Sequence, residues 1–110
     1  MLSGIYSVDF RSNQQAFGSG IAVFTEDGKV GGGDETYFYQ GFLSVSGNIA
    51  SGNVRVAHYQ GPRNSIFAGV DQYTLDLSGN IDGPTITLSG FMVEHPNMKI
   101  ELTGKKIADL

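Results

Sequence analysis

The sequence predicts an all-β protein, a small antiparallel up-and-down barrel of about eight strands. Three observations predict it. Apolar and polar residues alternate with period two in segment after segment, and the helical period is nearly absent. Turn signals recur at roughly 8–12-residue intervals, the spacing of a sandwich or barrel. The connections between most runs are short, which favours a meander over Greek-key crossings. With 110 residues the chain forms one domain over 1–110. Its 16 glycines lie among apolar runs and so mark turns and strand bends, not a linker.

The first run covers residues 5–11, with Tyr6, Val8 and Phe10 on one face and Ser7, Asp9 and Arg11 on the other. A polar turn follows over residues 12–15. The second run, 17–25, is apolar on both faces: Phe17, Ile21 and Val23 oppose Ala22 and Phe24. Glu26-Asp27-Gly28-Lys29 reads as a hairpin turn, because Asp-Gly readily takes positive φ. After Gly31-Gly32-Gly33 come an aromatic run over 36–40 and a short run over 43–45, which leads into the turn signal Ser46-Gly47-Asn48. Val54, Val56 and His58 alternate with Arg55, Ala57 and Tyr59. Residues 61–69 break the pattern around Pro62 and read as a loop or one helical turn. Runs over 73–77, 85–89 and 98–102 alternate cleanly, the first of them ending at Ser78-Gly79-Asn80. The expected inward face carries Tyr6, Val8, Phe10, Val54, Val56, His58, Tyr73, Leu75, Leu77, Ile86, Leu88, Ile100 and Leu102.

Composition narrows the function. A formal charge of −4, with seven scattered basic residues, argues against nucleic acid, which needs clustered Lys and Arg. The absence of cysteine excludes disulfides and thiolate metal sites and fits a cytoplasmic protein. Residues 1–5 lack the pattern of a signal peptide, and no apolar run is long enough to cross a membrane as a helix.

No catalytic constellation is visible. Gly18-Ser19-Gly20 and Gly31-Gly32-Gly33 lack the spacing and the following helix of a phosphate-binding loop, and read as strand bends or bulges. His58 and His95 are the only histidines, whereas catalytic zinc usually takes three protein ligands. No Gly-x-Ser-x-Gly elbow occurs. Asp34 and Glu35 are adjacent and would point to opposite faces of a strand. The better reading is a turn carboxylate that accepts bonds from nearby backbone amides. The expectation is therefore a non-enzymatic protein with no cofactor and no metal.

The aromatic run leaves a problem that alternation does not solve. Phe38 points one way and Tyr37 and Tyr39 the other, so both faces are large and apolar. One face fills the barrel, and the other meets a subunit or the chain's own loops. Strand 17–25 poses the same problem. Phe17, Ile21, Val23, Tyr37 and Tyr39 are therefore the candidate interface residues of a homodimer. Tyr6, Phe10, Val56, His58, Tyr73 and Leu75 are the candidate ligand-binding residues of a hollow interior.

The ordered series Gly4-Ile5-Tyr6-Ser7, Phe10, Gly18 to Gly20 before Ile21, Gly32-Gly33-Asp34, Tyr39-Gln40-Gly41 and Leu43-Ser44 resembles the GrlR-like family, negative regulators of bacterial type III secretion genes. The resemblance covers residues 4–49 and continues weakly through Asp71-Gln72-Tyr73 and the last strand. It implies a calycin-like barrel, a homodimer, and regulation by binding a protein such as a transcriptional activator. The regulators that name the family carry an acidic run after the Leu-Ser pair, where this chain has the uncharged Val45, Ser46, Gly47 and Asn48. The alternative expectation is a calycin-type carrier or sensor with a small apolar ligand inside the barrel.

Overall fold

The computed structural model describes residues 2–110. Eight strands follow one another in chain order: β1 (Gly4–Ser12), β2 (Phe17–Phe24), β3 (Lys29–Gly33), β4 (Tyr37–Ser46), β5 (Ile49–His58), β6 (Gln72–Asp82), β7 (Thr85–Met92) and β8 (Lys99–Ala108). Each pairs antiparallel with its neighbours in sequence, and β1 pairs with β8 to close the barrel. Among the described residues there is no helix, and hence none long and apolar enough to cross a membrane.

The strand count agrees with the sequence reading, but two elements differ. The runs over 36–40 and 43–45 form one continuous strand, β4, with Gly41 between them and opposite Val54. The glycine run is itself strand β3, paired with Ile21–Phe24 on one side and with Phe38–Phe42 on the other. A third difference concerns Ser78-Gly79-Asn80, which does not turn. β6 runs through it in register with β5 and β7, and the chain reverses at Gly83-Pro84 instead. The expected turns at Gly28 and Gly47 are present, with φ of +91° and +62°, values at which a side chain would be strained.

Gly79 shows why a turn-like residue can belong inside a strand. Gly41, Gly52, Gly79 and Gly90 lie on the inward face, two residues from buried core side chains, and a Cβ at any of them would collide with a backbone carbonyl of the next strand. These are places where strongly bent strands approach closely, the corner-turning glycines of a small barrel.

The core is the barrel interior. Tyr6, Val8, Leu75, Leu77, Ile86, Leu88 and Ile100 are buried, while Ser7, Asp76, Thr87 and Lys99 on the alternate faces are exposed. The two ends differ. At one end Tyr6 and Phe24 meet edge to face at 5.0 Å, with Leu2 buried nearby. The other end gathers the β1–β2, β3–β4, β5–β6 and β7–β8 connections. The long β5–β6 loop (59–71) contains no helical turn and folds back over the rim. It buries Phe67 against Tyr73 at 5.2 Å, edge to face, and its Ile66 carbonyl accepts a 2.8 Å bond from the Ser12 hydroxyl. Full burial of a phenyl ring contributes about 1.5–3 kcal/mol, enough to seat the loop.

Leu75→Ala and Ile100→Ala will each destabilise the protein by about 2–5 kcal/mol. Lys99→Ala, on the outer face, will cost about 0.5 kcal/mol or less. Urea titrations that gave equal effects for both faces would contradict the assignment of inside and outside.

Candidate functional site

The interior is not filled. An apolar cavity of about 330 Å³ lies within the barrel. Val8, Ala22, Phe24, Val30, Leu43, Val54, Val56, Leu75, Leu77, Leu88, Ile100 and Leu102 form its walls. Inward glycines make room for two of the rings at its border. Gly18 faces the Phe10 ring, and a Cβ at Gly20 would lie 2.5 Å from the Tyr39 hydroxyl.

The cavity reaches the rim at the end that carries the long loop. Phe17, Ser19, Asp34, Glu35, Thr36, Asn64, Ser65 and Ile66 line that part. The short length of β3 explains the opening. β3 pairs with only the second half of β2, so Phe17, Gly18, Ser19 and Gly20 have no strand partner on that side. The β3–β4 connection and the long loop border the gap.

Asp34 holds this rim together. One carboxylate oxygen accepts bonds from the backbone amides of Thr36 (2.9 Å) and Tyr37 (2.8 Å), and the other accepts from the Tyr39 hydroxyl at 2.8 Å. Its carbonyl oxygen accepts from the Tyr59 hydroxyl at 2.8 Å. Thr36 in turn donates to Asn64 at 2.8 Å, which ties the β3–β4 connection to the loop. Asp71 does similar work at the loop's far end, accepting from the Tyr37 hydroxyl at 2.9 Å and pairing with Arg63 at 3.0 Å.

These contacts set the titration of the site. Burial, reinforced by the Asp34 carboxylate, raises Tyr39 well above the ordinary tyrosine range. Burial likewise raises Tyr73, and burial with the Asp71 hydrogen bond raises Tyr37. The Tyr37 hydrogen bond and the Arg63 guanidinium hold Asp71 below the usual carboxylate value. Among the described residues no group of three or more His, Asp or Glu side chains converges as metal ligands would.

The candidate residues sort by position. Phe10, Val56, Tyr73 and Leu75 line the cavity. Tyr6 is buried inside the barrel at the closed end, packed on Phe24, and does not reach the space. His58 requires correction. It sits at the rim, past the last inward valine, where its Nε2 lies 2.8 Å from the Gly61 carbonyl oxygen and its ring meets Tyr37 edge to face. It does not line the cavity. Tyr37 and Tyr39 also require correction: both face inward and line the cavity, so neither is available to an interface. Phe38 takes the outer face and is covered by Arg55, 5.3 Å above its ring, and by Tyr59. On β2, Ala22 and Phe24 face inward, while Phe17 and Ile21 are exposed and Val23 is half-buried outside.

Asp34 does accept backbone amide bonds, as a turn carboxylate should, but its reach to Tyr39 had no signal in the sequence. Asn64 and Ser65 at the rim had none either, since they join the site through a loop without periodicity, and Thr36 stands in the β3–β4 connection at the head of the run read as aromatic.

No family model and no curated protein matches the chain. A solved structure of a redesigned β-barrel is similar in fold, with a TM-score of 0.51 and 11% identity over 96% of this chain and 91% of that one. That likeness concerns the barrel alone.

The raised tyrosines give a pH dependence with a definite sign. A folded-state pKa above the ordinary value of 10 contributes stability that is complete below pH 10 and lost as pH climbs. Tyr37, Tyr39 and Tyr73 will therefore resist ionisation above pH 10 and titrate together with alkaline unfolding, followed by phenolate absorbance. Asp71 acts in the opposite sense. Its contribution is complete above its ordinary value of 3.8 and fades on acidification below it, which hydrogen exchange in residues 59–71 will report.

Proposed function

We propose that this barrel binds a small, largely apolar molecule in its interior and acts as a carrier or sensor. The observation that carries the reading is the 330 Å³ cavity, apolar in its walls and polar only at its open end. Binding sites for small molecules combine these features: an apolar enclosure of about 300 Å³ or more, and a few polar groups that fix orientation. The barrel also has an entry route between the unpaired half of β2 and the β3–β4 connection. No part of the arrangement supplies a nucleophile with an adjacent base, which favours binding over chemistry.

A neutral apolar fluorophore will bind with one-to-one stoichiometry and gain emission on entering the dry interior. Val56→Phe places a larger ring in the cavity wall and will abolish that uptake while the barrel still unfolds cooperatively. Unchanged uptake by the variant would place the probe elsewhere and contradict the reading.

A second reading is favoured by the outer face of β2. Phe17 is 73% exposed and Ile21 41%, more apolar surface than a free strand face usually shows. In this reading the chain pairs with a second copy through that face, and the dimer binds a regulatory protein, in line with the resemblance to the GrlR-like regulators. The Ser46-Gly47-Asn48 turn carries no charge, and Ser46 and Asn48 will tolerate substitution. Light scattering will find a dimer at micromolar concentration that Ile21→Glu converts to a monomer. A wild-type monomer would remove this reading without touching the first.

A further inference from the structure

The apolar walls say little about which molecule enters, but the open end of the cavity is selective. Among the described residues that line it, the only carboxylates are Asp34 and Glu35, and none is Lys, Arg or His. The nearby cation, Arg63, is occupied by Asp71 at 3.0 Å. A ligand with a carboxylate or phosphate head would place a negative charge beside two others and find no cation. The aromatic rings at the same end, Phe10, Tyr37 and Tyr39, add to the preference, because the face of an aromatic ring attracts a cation.

We propose that the ligand is an apolar amine or ammonium compound, its hydrocarbon body in the barrel and its cationic end at Asp34 and Glu35. The inference rests on the reading of the cavity as a binding site and deepens it. Asp34 is oriented for the task. Two backbone amides fix one of its oxygens, and the other accepts a single bond from Tyr39, which leaves a lone pair unused. Glu35 is exposed at the rim and its side chain is free to follow the head group, while its backbone carbonyl is anchored by Gln60. Long-range attraction works the same way, since the chain's net charge of −4 draws cations and repels anions.

The test compares three molecules with one body and different heads: octylamine, octanol and octanoate, each displacing a neutral apolar fluorophore from the full-length chain at neutral pH. Octylamine will compete about tenfold more strongly than octanol. Octanoate will compete most weakly. Added salt will weaken the amine and leave the alcohol unchanged. Glu35→Gln will narrow the ratio of octylamine to octanol affinity, a readout independent of how much of the variant folds. Equal competition by all three, or tightest binding by octanoate, would overturn the assignment of the head group and leave the cavity reading standing. A fluorophore that does not bind at all would overturn both.

Discussion

Closure of the sheet between β1 and β8 is the constraint on which the rest of the molecule depends. Eight strands in a ring have two hydrogen-bonded neighbours each and a single interior. Every strand must therefore send one alternate set of side chains inward, whatever the polarity of the other set. That requirement buries Leu75 and Ile100 and leaves Phe17 and Ile21 outside. It also asks the strands to bend sharply, and glycine at positions such as Gly41 and Gly79 lets neighbouring backbones approach where a Cβ would collide with a carbonyl.

The same geometry leaves the interior hollow. Gly18 and Gly20 make room for the Phe10 ring and the Tyr39 hydroxyl, and β3 stops short of the rim, so the space stays open where a longer strand would seal it. The long β5–β6 loop covers part of that end with Phe67 and Ile66 and brings Asn64 and Ser65 to its edge. A hydrogen-bonded frame built on Asp34 and Asp71 keeps the rim in shape without filling it. The result is a cavity with apolar walls, one polar end and one sign of charge there. Each of these properties bears on what could enter.

Much of this was legible in the sequence, and the exceptions have physical causes. Alternation placed Tyr73, Leu75 and Leu77 correctly because their neighbours Thr74, Asp76 and Ser78 are polar and the contrast fixes the face. It could not place Tyr37 and Tyr39 against Phe38, since all three are aromatic; the choice falls to hydroxyl partners, and Asp71, which receives Tyr37, lies 34 residues away. Ser78-Gly79-Asn80 has the composition of a turn, yet Gly79 serves a strand bend opposite Leu88. His58 continues the inward series of Val54 and Val56, but it is the last residue of β5, at the rim, and its ring turns to the Gly61 carbonyl. The cavity itself had no signature, because emptiness depends on how far β3 reaches and how the long loop lies.

The hollow interior is the central claim, and xenon tests it most directly, because a dry apolar cavity takes up the gas without needing any particular chemistry. The measurement is methyl NMR of the protein under increasing xenon pressure. The account predicts saturable shifts for the methyl groups of Val54, Val56, Leu75 and Leu88 and none for the exposed Val93 and Ile107. Inner methyls that stay unmoved, or that respond no more than the exposed ones, would show a packed barrel and contradict it.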